Sequence, residues 1–188
     1  SINSDGTIVA IGALYNDGNG SNAGHVRIYQ YDDTVWTQLG NDIDGEAADD
    51  ESGKSVSINS DGTIVAIGAP RNDGNGADAG HVRIYQYDSG NDIWNQLGQD
   101  IDGEAKNDQS GYSVSMNSDG TIVAIGAPYN DGTGAGNEGH VRIYQYDGTV
   151  WNQLGQDIDG EAASDNSGWA VSISDDGSRG AIGAYYNE

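Results

Sequence analysis

The residues of this chain that could do chemistry are carboxylates, imidazoles and guanidinium groups, and most of them come in threes. After Trp36, Trp94 and Trp151 the chain runs into an acidic segment: Asp42, Asp44 and Glu46, then Asp49 and Asp50. The equivalents are Asp100, Asp102, Glu104 and Asp108, and Asp157, Asp159, Glu161 and Asp165. Several hard oxygens on a flexible loop suit calcium, and D-I-D-G-E places carboxylates at alternate positions. The spacing is not that of a D-x-D-x-D-G loop. The expectation is a solvated acidic turn, with weak calcium binding here or at the Asn16-Asp17-Gly18-Asn19-Gly20 loop as the alternative.

His25, His81 and His140 hold one equivalent position. Three imidazoles could ligate zinc. Stacked sheets, however, put equivalent positions well over about 10 Å apart unless they line an axis, so a structural role is expected. Arg27, Arg83 and Arg142 could contact an anion or acidic glycan. Their repetition favours a half-buried pair with an Asp or an aromatic ring on the next unit. The tryptophans could stack sugars but read as packing.

Positions that differ between copies point to a ligand more directly. Lys54, Tyr112 and Trp169 share one slot, and Leu14-Tyr15, Pro70-Arg71, Pro128-Tyr129 and Tyr185-Tyr186 share another. The candidate binding set is Tyr15, Arg71, Tyr129, Tyr186, Lys54, Tyr112 and Trp169, an aromatic and cationic group of the kind favoured in binding patches. Catalysis needs an acid and a base in unlike environments. Here nearly every carboxylate recurs in register, and the unique ones (Asp33, Asp50, Glu51, Glu138) fall in variable loops. No catalytic residue is assigned. There is no nucleophile elbow, phosphate loop or H-E-x-x-H motif. Asn19-Gly20-Ser21 matches a glycosylation acceptor in one copy only and reads as chance.

Composition narrows the classes further. The chain has 188 residues, 30 Asp+Glu against 7 Lys+Arg, and a formal charge of −23. Such a surface repels phosphate backbones and anionic lipid, so nucleic acid and membrane partners are not expected. With no cysteine there are no disulfides and no thiolate sites. No apolar run reaches the roughly 18 residues of a membrane span. Two lysines amid this acidity suit salty water, where ions screen self-repulsion, and hence a marine or halophilic source.

The elements that must position these groups come from a repeat. SINSDGTIVAIGA begins at Ser1 and Ser57, SMNSDGTIVAIGA at Ser115 and SISDDGSRGAIGA at Ser172, at spacings of 56, 58 and 57 residues. GHVRIYQYD follows at Gly24, Gly80 and Gly139. Each unit reads as four short strands: SGYSVSMN, an Asp-Gly turn, TIVAIGAP, a Gly/Asn/Asp-rich loop, HVRIYQYD, and VWNQLGQDI. Ile8, Ala10 and Gly12 share one strand face and Val9, Ile11 and Ala13 the other. Both faces are small and apolar, as in a sheet sandwiched between sheets. The fold class expected is all-β, with β-propeller blades of four antiparallel strands and about 57 residues per repeat. Arg179-Gly180 replaces an Ile-Val pair in the fourth copy, which suits a less buried strand.

The units resemble FG-GAP repeats, the blades of integrin-α-like propellers, in the shorter variety without the calcium loop. Gly68-Ala69-Pro70 and Gly126-Ala127-Pro128 carry the GAP half. Gly111-Tyr112 and Gly168-Trp169 carry a shifted FG half, which Lys54 interrupts. The family's calcium loop lies between the first two strands, where this chain has only Ser-Asp-Gly. The resemblance implies a propeller of six or seven blades, so this chain, about 3.3 repeats, is expected to be an incomplete arc: part of something larger or capped by other copies. Expected blades are 1–52, 53–110, 111–167 and 168–188. The expected function is a non-catalytic extracellular or cell-surface module for adhesion, protein or glycan interaction, or assembly. The alternatives are the propeller portion of a secreted glycan hydrolase or lyase, and a calcium-stabilised surface repeat.

Overall fold

Each N-S-D-G-T segment folds back on itself for reasons visible in its side chains. In the second copy the Asn59 Oδ1 accepts from the Thr63 and Ile64 amides, each at 2.9 Å, and Asp61 accepts from the Thr63 amide at 3.0 Å. Gly62, at φ +79°, supplies the left-handed residue that closes the turn. The turn sets the register of the hairpin that follows.

The computed structural model describes residues 1–132 and 136–187; residues 133–135, in the third copy's glycine-rich loop, and residue 188 lie outside the described residues. The first blade holds β1 (Ile8–Ala13), β2 (His25–Tyr31), β3 (Trp36–Gln38) and β4 (Ile43–Asp44). The second holds β5 (Ser55–Ile58), β6 (Ile64–Ala69), β7 (His81–Asp88), β8 (Ile93–Gln96) and β9 (Ile101–Asp102). The third holds β10 (Ser113–Met116), β11 (Ile122–Ala127), β12 (His140–Tyr146), β13 (Trp151–Gln153) and β14 (Ile158–Asp159). The fourth holds β15 (Ser167–Ile173) and β16 (Gly180–Ala184). No helix occurs among the described residues, and the fold is all-β. Every named pair is antiparallel, with IVAIGA second from the inner edge. In the first blade the inner position is taken by Ser1–Asn3, where Ile2 bridges Val9.

The outer strand differs from expectation. VWNQLGQDI is not one strand but two short ones, β13 and β14, both paired to β12. Between them the Leu154 amide still donates to the Ile143 carbonyl at 2.7 Å, while Gly155 turns to φ +83° and the ladder breaks. β3/β4 and β8/β9 pair with β2 and β7 in the same divided way.

The core lies between blades rather than within them. Ile8, Ala10, Val26, Ile28 and Ile43 of the first blade pack with Ile58, Val65, Ile67 and Tyr85 of the second. Ile64, Ala66, Val82, Ile84 and Ile101 of the second pack with Met116, Val123, Ile125, Tyr144 and Trp151 of the third. Alternate residues of one strand therefore serve two different cores. All six residues of β6 are buried, whereas in β1, of identical sequence, Ile11 is 53% exposed.

Two devices hold blades together. Gly68 faces the Gly111 carbonyl so closely that a Cβ would overlap it, and Gly12 and Gly126 face Gly53 and Gly168 likewise. The second device is the tryptophan: Trp94 Nε1 donates to the Leu39 carbonyl at 3.0 Å and Trp151 Nε1 to the Leu97 carbonyl at 2.8 Å. Trp151 is 3% exposed, whereas Trp36 is 46% exposed.

Candidate functional site

Lys54 and Tyr112 immediately precede β5 and β10, and Trp169 lies at the start of β15. Arg71, Tyr129, Tyr185 and Tyr186 follow β6, β11 and β16. In each hairpin the start of the inner strand pairs with the exit of the second, as Ser55 with Gly68, Ser113 with Gly126 and Ser167 with Ala184. The two variable slots therefore share one end of the blades. There the side chains form a row. The Lys54 ammonium sits 4.8 Å above the Tyr112 ring, and Tyr112 lies 4.8 Å from Trp169. Trp169 stacks on Tyr185 at 4.8 Å and 23°, and Tyr185 meets Tyr186 edge-on at 4.5 Å. Tyr129 braces the row, edge-on to both Tyr112 and Trp169 at 6.2 Å. Tyr185 and Tyr186 are 60% and 61% exposed. Burial, then the neighbouring Tyr129 and Glu51, raise the Tyr112 phenol above its ordinary pKa, so it stays a neutral donor.

Five of the seven candidate binders, Lys54, Tyr112, Tyr129, Trp169 and Tyr186, thus meet in one patch. Tyr15 is 68% exposed and Arg71 pairs with Glu51 at 3.3 Å, and neither joins the ring contacts among the described residues. Tyr185, absent from the candidate set, is the ring that links Trp169 to Tyr186. Its signal was available: it replaces the buried Pro70 and Pro128 of the other copies.

The acidic segments are divided between blades. Glu46 and Asp100 flank His81, Glu104 and Asp157 flank His140, and Asp42 and Asp44 flank His25. His81 Nδ1 is 3.9 Å from Glu46 Oε2 and 3.9 Å from Asp100 Oδ2. For His140 the distances to Glu104 and Asp157 are 3.9 and 3.8 Å. Asp102, Asp159 and Glu161 stand outside these groups. Burial, and secondarily the Arg83 charge, push His81 down to about 4, and burial with Arg142 lowers His140. Both imidazoles are neutral at neutral pH.

The arginines knit each junction. Arg83 donates to the Asp44 carbonyl at 2.7 Å, approaches Glu46 Oε1 at 3.4 Å and lies over the Tyr85 ring. Arg142 repeats this with the Asp102 carbonyl, Glu104 and Tyr144. The carboxylate and carbonyl partners lie on the preceding blade rather than the next, the rings belong to the arginine's own strand, and the backbone carbonyl is a partner that residue types do not reveal. Arg27 instead bonds both oxygens of Asp42 in its own blade, at 2.9 and 2.8 Å, and this pairing holds Asp42 at about 2.

Asp50 is not a copy-specific residue. It is the counterpart of Asp108 and Asp165: all three are buried, each accepts the amide three residues back, and Asp50 and Asp108 also take Asn72 and Asn130. Asn19 of the acceptor-like triplet donates to the Gly45 carbonyl at 2.8 Å, as Asn75 does to Gly103, so it clasps a loop.

A succession of antiparallel blades, packed face to face with inner strands adjoining, defines a propeller-type repeat protein. The FG-GAP repeat model matches residues 43–85 and 101–144, so these two stretches are similar to FG-GAP repeats. Among solved structures, a proposed 6-phosphogluconolactonase from Bacteroides fragilis superposes with a TM-score of 0.57 at 14% identity, covering 85% of this chain and 38% of that one. Another from Bacteroides uniformis gives 0.49 at 13%, covering 94% and 61%. This chain therefore spans less than two thirds of either structure. No curated protein matches the chain.

Proposed function

We propose that this chain is a non-catalytic propeller module that binds a neutral glycan on its aromatic end, in an extracellular or cell-surface adhesion setting. The supporting observation is the continuous row Lys54–Tyr112–Trp169–Tyr185–Tyr186 on the two slots where the repeats differ. Scaffold positions repeat from blade to blade, and this row does not. Aromatic faces accept the apolar faces of sugar rings, and the Lys54 and tyrosine polar groups are placed to meet hydroxyls. The acidic surface works against an anionic ligand. The FG-GAP match supports the adhesion setting by resemblance.

The name 6-phosphogluconolactonase denotes a phosphorylated substrate, which a chain of charge −23 would repel. A catalytic reading therefore ranks second. Titration of the purified protein with a panel of neutral tetra- to hexasaccharides tests the proposal. Binding is expected, and Trp169→Ala should weaken it by roughly 30-fold, about 2 kcal/mol, as for a central aromatic anchor. No binding by any member, or binding indifferent to Trp169→Ala and Tyr112→Ala, sinks it; binding of a protein partner sensitive to both would replace glycan by protein.

A further inference from the structure

We propose that the two junction clusters Glu46–His81–Asp100 and Glu104–His140–Asp157 are binding sites for a first-row divalent transition metal ion of the zinc type, one at each junction. This goes beyond calcium at the acidic turn, and it is independent of the aromatic end.

Three observations carry it. First, each cluster holds one imidazole and two carboxylates whose ligand atoms lie within 4.8 Å of one another. A tetrahedral ion with bonds of 2.0–2.2 Å sets its ligands roughly 3.3–3.6 Å apart. The carboxylates are about one third to one half exposed, so small rotations close the gap, and water takes the fourth position. Second, the imidazoles are aimed into the clusters without hydrogen bonds to them. His81 and His140 are each 1% exposed, and their Nδ1 atoms stand 3.8–3.9 Å from the carboxylates, too far to donate. A metal at Nδ1 would supply the polar bond that this atom lacks in both rings. Third, Arg83 and Arg142 engage Oε1 of the two glutamates, which leaves Oε2 turned toward the imidazole.

Nitrogen in the ligand set favours zinc-type ions over calcium, which takes six to eight oxygens. Each glutamate comes from the blade before its histidine, so an ion would pin neighbouring blades. The His25 cluster is the internal contrast: its carboxylates belong to its own blade, and Arg27 occupies both oxygens of Asp42.

The test is calorimetric titration of zinc into chelator-treated protein, with thermal melting alongside. Expected are close to two ions per chain, a melting temperature raised by zinc but not by equimolar calcium, and unchanged stoichiometry in His25→Gln. Glu46→Gln with Glu104→Gln alters half-exposed side chains, keeps the shape, and should weaken both sites at least tenfold. A stoichiometry below one, an equal response to calcium, or indifference to the paired glutamate substitutions overturns the proposal. Cobalt(II) absorption in the unaltered protein is an independent reading should the variants misfold: two equivalents support it and none refutes it.

Discussion

Truncating Trp151 to alanine should cost this chain far more than the same change at Trp36, although the two residues hold one position in the repeat. Trp151 is 3% exposed, packs in the cluster of Ile64, Ile84 and Val123, and donates its indole N–H to the Leu97 carbonyl at 2.8 Å. Removing a buried tryptophan costs about 3–5 kcal/mol in lost contact and cavity. The abandoned Leu97 carbonyl adds about 1 kcal/mol. Trp36 is 46% exposed and rests mainly on Tyr31 at 5.1 Å. Its loss should cost about 1 kcal/mol or less. The expected gap is about 3–5 kcal/mol. Urea denaturation followed by far-ultraviolet circular dichroism reads it, because fluorescence would change with the tryptophan itself. The slope should be the same for both variants. Equal losses, within about 1 kcal/mol, would refute the reasoning that inter-blade burial sets the value of this residue.

Gly68→Ala forces a Cβ into the Gly111 carbonyl and should destabilise by about 3 kcal/mol, whereas Gly180→Ala, whose Cβ meets nothing closer than 3.8 Å, should stay within about 0.5 kcal/mol; chemical denaturation of the pair checks this. Acidification should also unfold the chain at the junctions. His81 has a folded pKa of about 4 against 6.5 unfolded, so the unfolded state binds the extra proton between these values. Its stabilisation, about 3 kcal/mol, is complete above pH 6.5 and is lost as the pH falls toward 4, and His140 acts in the same direction. The groups facing His81 are Arg83, Glu46, Asp100 and Asp50. His81→Gln with His140→Gln should flatten the fall in melting temperature over that window, and an unaltered slope would contradict the assignment. Lys54→Ala should leave stability unchanged, since this exposed ammonium lies over the Tyr112 ring and forms no ion pair among the described residues; a large drop in melting temperature would show it to be structural.

Much of this architecture can be read from residue types and spacing. The Asn-Ser-Asp-Gly turns, the two apolar faces of IVAIGA and the 57-residue recurrence determine hairpins, sandwiching and blades. The break in the outer strand escaped because Asn-Gln-Leu-Gly-Gln alternates well enough for a strand, and only the left-handed Gly155 ends the ladder. The aromatic end was legible because its members vary where the scaffold does not. The junction clusters were not, because Glu46 and His81 are 35 residues apart and belong to different blades. Only the packing of one blade on the next brings them together. Asp50 was misplaced for a simpler reason: Asp49 beside it blurred the register of the copies.

Because Gly68, Ile84 and Trp151-type contacts are all made between one unit and the next, the chain has a natural quantum of length. Deleting or duplicating one whole repeat, cut at the same point of two copies, rejoins a glycine to its carbonyl and an indole to its neighbour's backbone. A cut of any other size destroys two junctions at once. Mutational change in the number of units is therefore tolerated where change within a unit is not, and the loops at the aromatic end can diverge while the count of blades rises or falls.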